Sequence, residues 1–264
     1  MSTFLRKAPL AATVIALLIV IGFLSLIYGY RLGFWGLGAV FGGFSGYLWL
    51  PAIGAILGVG SALALFVQRN AFAGIAALAV GAAAAAITYL PIYMRGEASK
   101  VPPIHDITTD VSDPPAFVAI LEERKDAPNP PEYDDGQTEQ QLEAYPDIKP
   151  LVMPKPLPEA WDIAMDAVRA EGLKIKAAVP SEGRIEATET VPLFGFKDDV
   201  VIRLRDAHGR ATVVDIRSKS RVGQSDLGYN ARRIRSLLNF MRDKGGEIEA
   251  PTLKLDAEPE QQDI

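Results

Sequence analysis

The chain of 264 residues contains no cysteine, and its first acidic residue is Glu97. The absence of cysteine excludes disulfide bonds and thiolate chemistry, and it removes the commonest ligands of zinc and iron–sulfur sites. Only five basic residues precede Glu97, whereas all 32 Asp and Glu residues lie from Glu97 onward. This asymmetry is typical of a membrane domain, here residues 1–96, joined to a soluble domain, here residues 97–245.

Three apolar runs in the membrane domain are long enough to cross a bilayer as helices. We predict spans at about residues 8–28, 46–67 and 72–93, because roughly 20 apolar residues cover a hydrocarbon core of roughly 30 Å. A signal peptide with Arg6 and Lys7 as its charged start is the alternative for the first run. The fold expected for this part of the chain is an α-helical membrane anchor.

The second run extends from Leu32 to Gln68 without a charge, which is more than one span needs. Its first part, "RLGFWGLGAVFGG", is expected to form a turn at the membrane interface, and two short spans within the run are the alternative. Glycines recur in two sets spaced by four residues: Gly38, Gly42 and Gly46, then Gly54 and Gly58. Small residues at this spacing let helix backbones approach closely, so they predict internal helix packing or a homodimer interface.

The soluble domain carries turn residues and periodic apolar patterns typical of an α+β fold. We predict a short helix at 114–125, a proline-rich arm at 126–157, and helices at 158–172 and 226–244. Four strands are expected at about 173–179, 184–191, 198–205 and 211–219. Residues 246–264 are an acidic tail that we expect to be disordered.

Alternation along the four strands assigns an apolar face and a polar face to the sheet. The apolar face is formed by Leu173, Ile175, Ile185, Ala187, Val200, Ile202, Leu204, Val214 and Ile216. The polar face is formed by Lys174, Lys176, Arg184, Glu186, Thr188, Arg203, Arg205, Asp215 and Arg217. The expected fold is an antiparallel sheet of about four strands with the two long helices packed on the apolar face. The polar face is either open to water or covered by the proline-rich arm.

Four motifs resemble a known family. They are "PPIHDITTD" followed by "DPPAF", then "YPDIKPL", then "IEATETVPLFGFKDDVVIRLR", and finally "VDIRSKSRVGQSDLGYNARRIRSLL". Over about residues 101–245 the chain is similar to the domain-of-unknown-function family 1499, including members whose domain follows a membrane anchor. The family has no assigned activity, and its members include proteins that look exported, lipid-anchored or lumenal. The resemblance implies a bacterial inner-membrane protein with a cytoplasmic N-terminus and a periplasmic domain, an orientation that the basic residues near the spans leave undecided, at three on each side.

The stretch from residue 203 to 244 contains eleven Lys or Arg and four Asp or Glu. A patch of that sign attracts phosphate, lipid headgroups or acidic cell-wall polymers. The candidate binding residues are Arg203, Arg205, Arg217, Lys219, Arg221, Gln224, Ser225 and Asp226. The alternative interpretation is that the strand charges pair across the sheet and that Ser225 and Asp226 cap the last helix. In that interpretation Arg232, Arg233 and Arg235 solvate the outer side of the helix.

His105 and Asp106, close to Asp110 and Asp113, form a second candidate site, since an imidazole beside carboxylates can act as acid and base or hold a metal. The alternative is that Asp106 and Asp110 accept hydrogen bonds from backbone amides in a turn. The motifs of serine hydrolases, zinc peptidases and phosphate-binding loops do not occur, so we assign no catalytic residue, metal or cofactor. Nucleic acid is not an expected partner, because the sequence pI is about 5.2 and the basic stretch lacks interleaved aromatic residues.

Together these features favour an integral membrane protein that displays a binding or scaffolding domain in the cell envelope. Its expected partners are the membrane and either an envelope protein or an anionic ligand. One alternative is a membrane-tethered hydrolase that uses His105 and Asp106. The other is an accessory subunit of a membrane transport or assembly complex, recruited through the glycine-rich spans.

Overall fold

The structure is a computed structural model that describes residues 3–192 and 194–248. The chain divides into a unit of helices, which runs to Lys100 and also includes Pro192 and Gly195, and a unit built on a sheet, which begins at Val101. Four helices form the first unit: α1 (Thr3–Arg31), α2 (Leu37–Tyr47), α3 (Trp49–Val67) and α4 (Ala71–Ala98). Of these, α1, α3 and α4 are long and apolar enough to span a membrane. The prediction of three membrane-length helices is confirmed.

Helix α2 occupies part of the segment that was expected to be an interfacial turn, so that prediction is wrong from Leu37 onward. The break between α2 and α3 has a cause in the sequence. Pro51 has no N–H to donate to the carbonyl of Tyr47, and its ring collides with that carbonyl in a continuous helix. Accordingly, α2 ends at Tyr47 and α3 begins at Trp49.

The spaced glycines fall into two groups in the structure. A Cβ atom built on Gly58 would lie 2.5 Å from the Cα of Gly81, so this glycine permits the close approach of α3 and α4. A Cβ built on Gly38, Gly42 or Gly46 would meet no atom within 4 Å among the described residues. Gly58 therefore serves helix packing inside the anchor, whereas Gly38, Gly42 and Gly46 lie on an open face of α2.

The second unit contains a sheet of antiparallel strands. They are β1 (Asp106–Thr108), β2 (Leu151–Met153), β3 (Lys174–Val179), β4 (Arg184–Thr190), β5 (Lys197–Ala207) and β6 (Ala211–Ser220). The order across the sheet is β1-β6-β5-β4-β3, and β2 also pairs with β6. Thus β1 pairs with Arg217–Lys219 and β2 with Thr212–Val214, which makes them two halves of one split edge strand.

The sheet therefore has six strands in place of the four expected. The four long strands were predicted to within a few residues of their ends. The two additional strands have three residues each; one precedes the helix predicted at 114–125, and the other lies in the predicted proline-rich arm. Their pairing partners are more than 50 residues away in the chain, so no local pattern identifies them.

Four helices accompany the sheet: α5 (Leu121–Arg124), α6 (Thr138–Ala144), α7 (Leu157–Ala170) and α8 (Tyr229–Gly245), with single 3₁₀ turns at Asp135–Gln137 and Pro180–Glu182. Buried residues of α7 recur at helical spacing, at Ala160, Ala164, Ala167 and Val168, and those of α8 at Ile234, Leu237, Leu238 and Met241. These two faces pack with all nine predicted residues of the apolar sheet face into one core. The predicted α+β fold is confirmed.

Two predicted segments differ from the structure. The helix expected at 114–125 is reduced to the single turn α5, and the proline-rich arm contains α6 and β2. Of the acidic tail, Gly246–Ile248 is described, and the N–H of Ile248 donates to the carbonyl of Val152 at 3.0 Å. Residues 249–264 lie outside the described residues, so the expectation of a disordered tail stays a prediction.

Candidate functional site

The polar face of the sheet is covered by residues 113–133, which we call the covering segment. Phe117 and Ile120 of this segment pack on Val201 of β5. The carboxylate of Glu186 on β4 accepts hydrogen bonds from three successive backbone N–H groups, those of Val118, Ala119 and Ile120, at 2.9–3.2 Å. Because these N–H groups bind a side chain of the sheet, the helix predicted here begins only at Leu121.

Asp106 is at the centre of one buried ion-pair cluster beneath the covering segment. Arg217 donates to both of its carboxylate oxygens, at 2.9 and 2.8 Å, and the Nζ of Lys219 lies 3.0 Å away. Antiparallel pairing of β1 with β6 sets Asp106 opposite Lys219. All three residues are at most 2% exposed. Burial lowers the pKa of Lys219, and the attraction of Asp106 opposes that shift.

Asp199 is at the centre of a second cluster. Its carboxylate accepts hydrogen bonds from Arg124 at 2.7 Å and from Arg221 at 2.7 and 2.8 Å. The hydroxyl of Thr188 on the neighbouring strand completes the set at 2.6 Å. Arg124 belongs to α5, so this cluster ties the covering segment to β5 and β6.

Buried positive charge exceeds buried negative charge in these two clusters. Four cations, Arg124, Arg217, Lys219 and Arg221, are at most 7% exposed, whereas the buried carboxylates paired with them are Asp106 and Asp199. Backbone carbonyls of the covering segment accept further hydrogen bonds from these cations, at Pro115, Glu123, Asn129, Pro131 and Glu132. The guanidinium groups of Arg124 and Arg217 lie 5.3 and 4.9 Å from the centre of the Phe117 ring. The covering segment thus supplies the acceptors that an external anion would otherwise supply.

Arg203 and Arg205 lie at the other end of the polar face. Both donate to Asp215, at 3.0 and 2.9 Å, and Arg203 also binds Asp113 at 2.8 Å. Their side chains are 22% and 34% exposed, whereas that of Asp215 is fully buried. Burial raises the pKa of Asp215, although both guanidinium groups oppose the shift. The structure therefore separates these two arginines from the Arg217 cluster and pairs them with aspartates.

The loop before α8 contains the remaining predicted binding residues. Gln224 is exposed, and the Ser225 hydroxyl accepts from the N–H of Leu227 at 3.2 Å. Asp226 accepts from the N–H groups of Gly228 at 2.7 Å and Asn230 at 2.9 Å, while the N-cap position of α8 is Gly228. Burial raises the pKa of Asp226, and these two hydrogen bonds oppose the shift.

His105 and Asp106 are neighbours in the chain but face different partners. Asp106 directs both oxygens to Arg217 and Lys219. The backbone of His105 bonds to Gln137 and Ser220, and the pKa of its half-buried ring is lowered by burial and by Lys219. Asp110 accepts from the N–H groups of Ser112 and Asp113, as the turn alternative expects. Over residues 3–192 and 194–248 no group of His, Asp and Glu has the arrangement of a metal site.

Several buried charges were missed from the sequence. Arg233, expected on the outer side of α8, is only 4% exposed and donates to Asp198 at 2.9 Å and to Glu189. That expectation is wrong, because Arg233 lies on the same side of α8 as the buried Ile234 and reaches the ends of β4 and β5. Strand alternation places Asp199 and Glu186 on the polar face of the sheet. No pattern in the sequence indicates that Arg124 is buried.

The part of the chain that contains all of these clusters matches a protein-family model. A family model described as "Protein of unknown function (DUF1499)" matches residues 106–241, from the first residue of β1 into the last turn of α8. No curated protein and no solved structure matches the chain. Because the family model spans more than half of the chain and all six strands, the chain belongs to the DUF1499 family of proteins of unknown function.

Proposed function

We propose that the chain is a membrane-anchored protein of the bacterial cell envelope whose C-terminal domain binds or scaffolds other components and is not itself a catalyst. The observation that carries this proposal is the burial of the reactive side chains. Asp106, Asp199 and Glu186 are at most 1% exposed, and each is saturated by donors of this chain. A general acid or base has to reach its substrate, and these carboxylates are closed off by the covering segment.

The proposed arrangement has three spans, a cytoplasmic N-terminus and a periplasmic domain in the inner membrane. Three apolar helices of sufficient length support membrane association. An odd number of spans puts the two ends of the chain on opposite sides. The resemblance of the domain to exported and lumenal members of its family supports the periplasmic side.

The ligand of such a domain has to be sought outside the buried part of the polar face. The cations of the basic stretch that were expected to bind an external anion are held by Asp106, Asp199, Asp215 and backbone carbonyls. The same geometry disfavours a hydrolase, because the carboxylate of Asp106 is bound by two cations instead of by the imidazole of His105.

A second candidate function, an accessory subunit of a membrane complex, is favoured by one observation. The open face at Gly38, Gly42 and Gly46 meets no atom of the described residues, and small residues at this spacing accept a second helix. A partner helix or a second copy of this chain would fit that face. Replacing Gly42 by Leu would then abolish copurification of the partner.

Labelling of single cysteines tests the arrangement in this naturally cysteine-free chain. Ser99→Cys follows α4, and Ser181→Cys lies in an exposed turn of the domain. We expect both to react with a membrane-impermeant thiol reagent in intact cells. Gln68→Cys, between α3 and α4, is the matched control and should react only after lysis. The reverse pattern would put the domain in the cytoplasm and rule out envelope partners.

A further inference from the structure

A cleft outside the polar face has no role in the clusters described above. Its volume is ≈ 240 Å³, and it lies among the end of α7, the end of β4 and the first turns of α8. It is lined by Glu171, Glu189, Tyr229, Arg232, Arg233 and Ser236. The lining carries two carboxylates and two guanidinium groups, so its formal charge is zero.

Two of the four charges are already paired with each other. The Nε of Arg233 donates to Glu189 at 2.9 Å, and Arg233 also binds Asp198 at 2.9 Å. Arg233 is buried, whereas the side chain of Glu189 is 40% exposed at the wall of the cleft. Because each of these two groups already binds the other, the pair has little capacity for a ligand. The chemistry of the cleft is therefore set by Arg232 and Glu171.

Arg232 and Glu171 are opposite charges that line one cleft without meeting. Arg232 is exposed, has no carboxylate within 4.0 Å among the described residues, and stacks on the half-exposed ring of Tyr229 at 4.5 Å. Glu171 is exposed, has no cation within that distance in the same part of the chain, and accepts a hydrogen bond from the Ser236 hydroxyl at 2.6 Å. Ser236, which binds Glu171, follows Arg232 by one helical turn. The attachment points of the two groups on α8 are therefore separated by roughly 6 Å along the helix axis.

A ligand with a single charge fits this cleft poorly. An anion attracted by Arg232 would also meet the carboxylates of Glu171 and Glu189, and a cation attracted by Glu171 would meet Arg232 and Arg233. A ligand with both charges would satisfy both groups, because charge-assisted hydrogen bonds form at each end. The aromatic ring of Tyr229 offers an apolar surface for the carbon link between them.

We propose that this cleft binds a small zwitterion whose primary ammonium group donates to Glu171 and whose phosphate or carboxylate accepts from Arg232. This chemistry is shared by the phosphoethanolamine headgroup of a lipid and by a free amino acid. The inference rests on the proposed function, since it names a ligand class for the binding domain.

Calorimetric titration of the full chain in neutral detergent tests the site. The zwitterionic probes are O-phosphoethanolamine and L-alanine, and the single-charge probes are ethanolamine and inorganic phosphate. We expect saturable binding of at least one zwitterion and at least about tenfold weaker binding of both single-charge probes. Stronger binding of O-phosphoethanolamine identifies a headgroup site, and stronger binding of L-alanine identifies an amino-acid site.

Substitutions link the binding to the two unpaired charges. Arg232→Gln and Glu171→Gln should each weaken the binding of the zwitterion by about tenfold, and Arg232→Lys should retain part of it. Arg210→Gln is the matched control, since Arg210 is also exposed but lies in the turn after β5, at the opposite end of that strand from Asp198. Circular dichroism checks that each variant is folded, and all three replaced side chains are exposed.

The inference is overturned if neither zwitterion saturates the protein at millimolar concentration. It is also overturned if phosphate binds as tightly as O-phosphoethanolamine, or if the variants at Arg232 and Glu171 bind like Arg210→Gln. These outcomes leave the labelling result for the anchor unaffected. Conversely, a cytoplasmic domain in the labelling experiment would overturn the proposed location without changing the titration.

Discussion

The two faces of the sheet are both buried, but by opposite means. On one face, apolar side chains such as Ile202 and Val214 pack under α7 and α8. On the other, Asp106, Asp199 and their cations are covered by residues 113–133. Apolar burial is non-directional and tolerates approximate fit, whereas each buried charge needs a partner at hydrogen-bond distance. The polar face therefore fixes one position of the covering segment, and removal of a central carboxylate leaves buried cations without a partner.

The largest effect is expected at Asp106. Asp106→Asn removes the charge while keeping the shape, which leaves Arg217 and Lys219 buried without their carboxylate. We expect a loss of about 3–5 kcal/mol in the free energy of unfolding. Urea unfolding of the full chain in detergent measures it, followed by fluorescence of Trp161 after Trp35 and Trp49 are replaced by Phe.

Asp147→Asn is the matched control for that measurement. Asp147 also pairs with an arginine, Arg235 at 2.6 Å, but its side chain is 55% exposed. An exposed ion pair contributes at most about 1 kcal/mol. Equal losses for the two variants would contradict the distinction between buried and exposed pairs.

The apolar face should respond less steeply to a single change. Ile202→Ala removes a fully buried side chain from the centre of the core, at a cost of about 2–5 kcal/mol, and Ile202→Val should cost only about 0.5–1.5 kcal/mol. The same urea series gives both values. Val118→Ala, at a residue 51% exposed, is the control and should change stability by less than about 0.5 kcal/mol. A similar cost for Ile202→Val and Ile202→Ala would contradict a loss of stability that grows with the number of buried atoms removed.

A smaller effect is expected where Glu186 holds the covering segment. Glu186→Gln places an amide group against N–H donors, so we expect a loss of about 1–3 kcal/mol and looser attachment of residues 118–120. Faster cleavage after the exposed Lys125 by a lysine-specific protease reports the loosening. Glu182→Gln is the matched control. The carboxylate that it replaces is 56% exposed, so cleavage should proceed at the wild-type rate. Unchanged cleavage in Glu186→Gln would show that the segment is held by other contacts.

The smallest effect concerns pH. Because burial and Lys219 lower the pKa of His105 in the folded state, the unfolded chain binds a proton first as pH falls through 6.5. The free energy of unfolding therefore decreases from that pH down to the lower folded pKa. His105→Gln should flatten this part of a plot of melting temperature against pH. His208→Asn, in an exposed turn with φ of 58°, is the control and should keep the wild-type slope.

The apolar face was predictable from the sequence because its signal is local. Alternation places every second residue of β4, β5 and β6 on the core side, and the helical spacing in α7 and α8 matches it. The sequence also identified charged residues of the polar face, but it did not identify the residues that pair with them. Arg217 and Asp106 are 111 residues apart, and Arg124 and Asp199 are 75 apart. No periodicity relates such pairs, so the basic stretch was interpreted as a surface patch although its central cations are buried.

The same limit applies to the split edge strand. β1 and β2 have three residues each, which is too short for a periodic pattern, and their place is decided by the exposed edge of β6. Arg233 was misplaced for a related reason. Helix spacing identifies the centre of a buried face, but a long side chain near its border can reach a carboxylate on another element.

The distance between Asp106 and Arg217 also sets an order of events during synthesis. At about 5–20 residues per second, a ribosome makes Asp106 on the order of 10 s before the arginine that neutralises it, 111 residues later. Until β6 is complete, β1 and β2 have no strand to pair with, and the carboxylate of Asp106 stays in water. The sheet therefore cannot be completed before β6 has been made, and this last long strand is the one that joins β1 and β2 to β5.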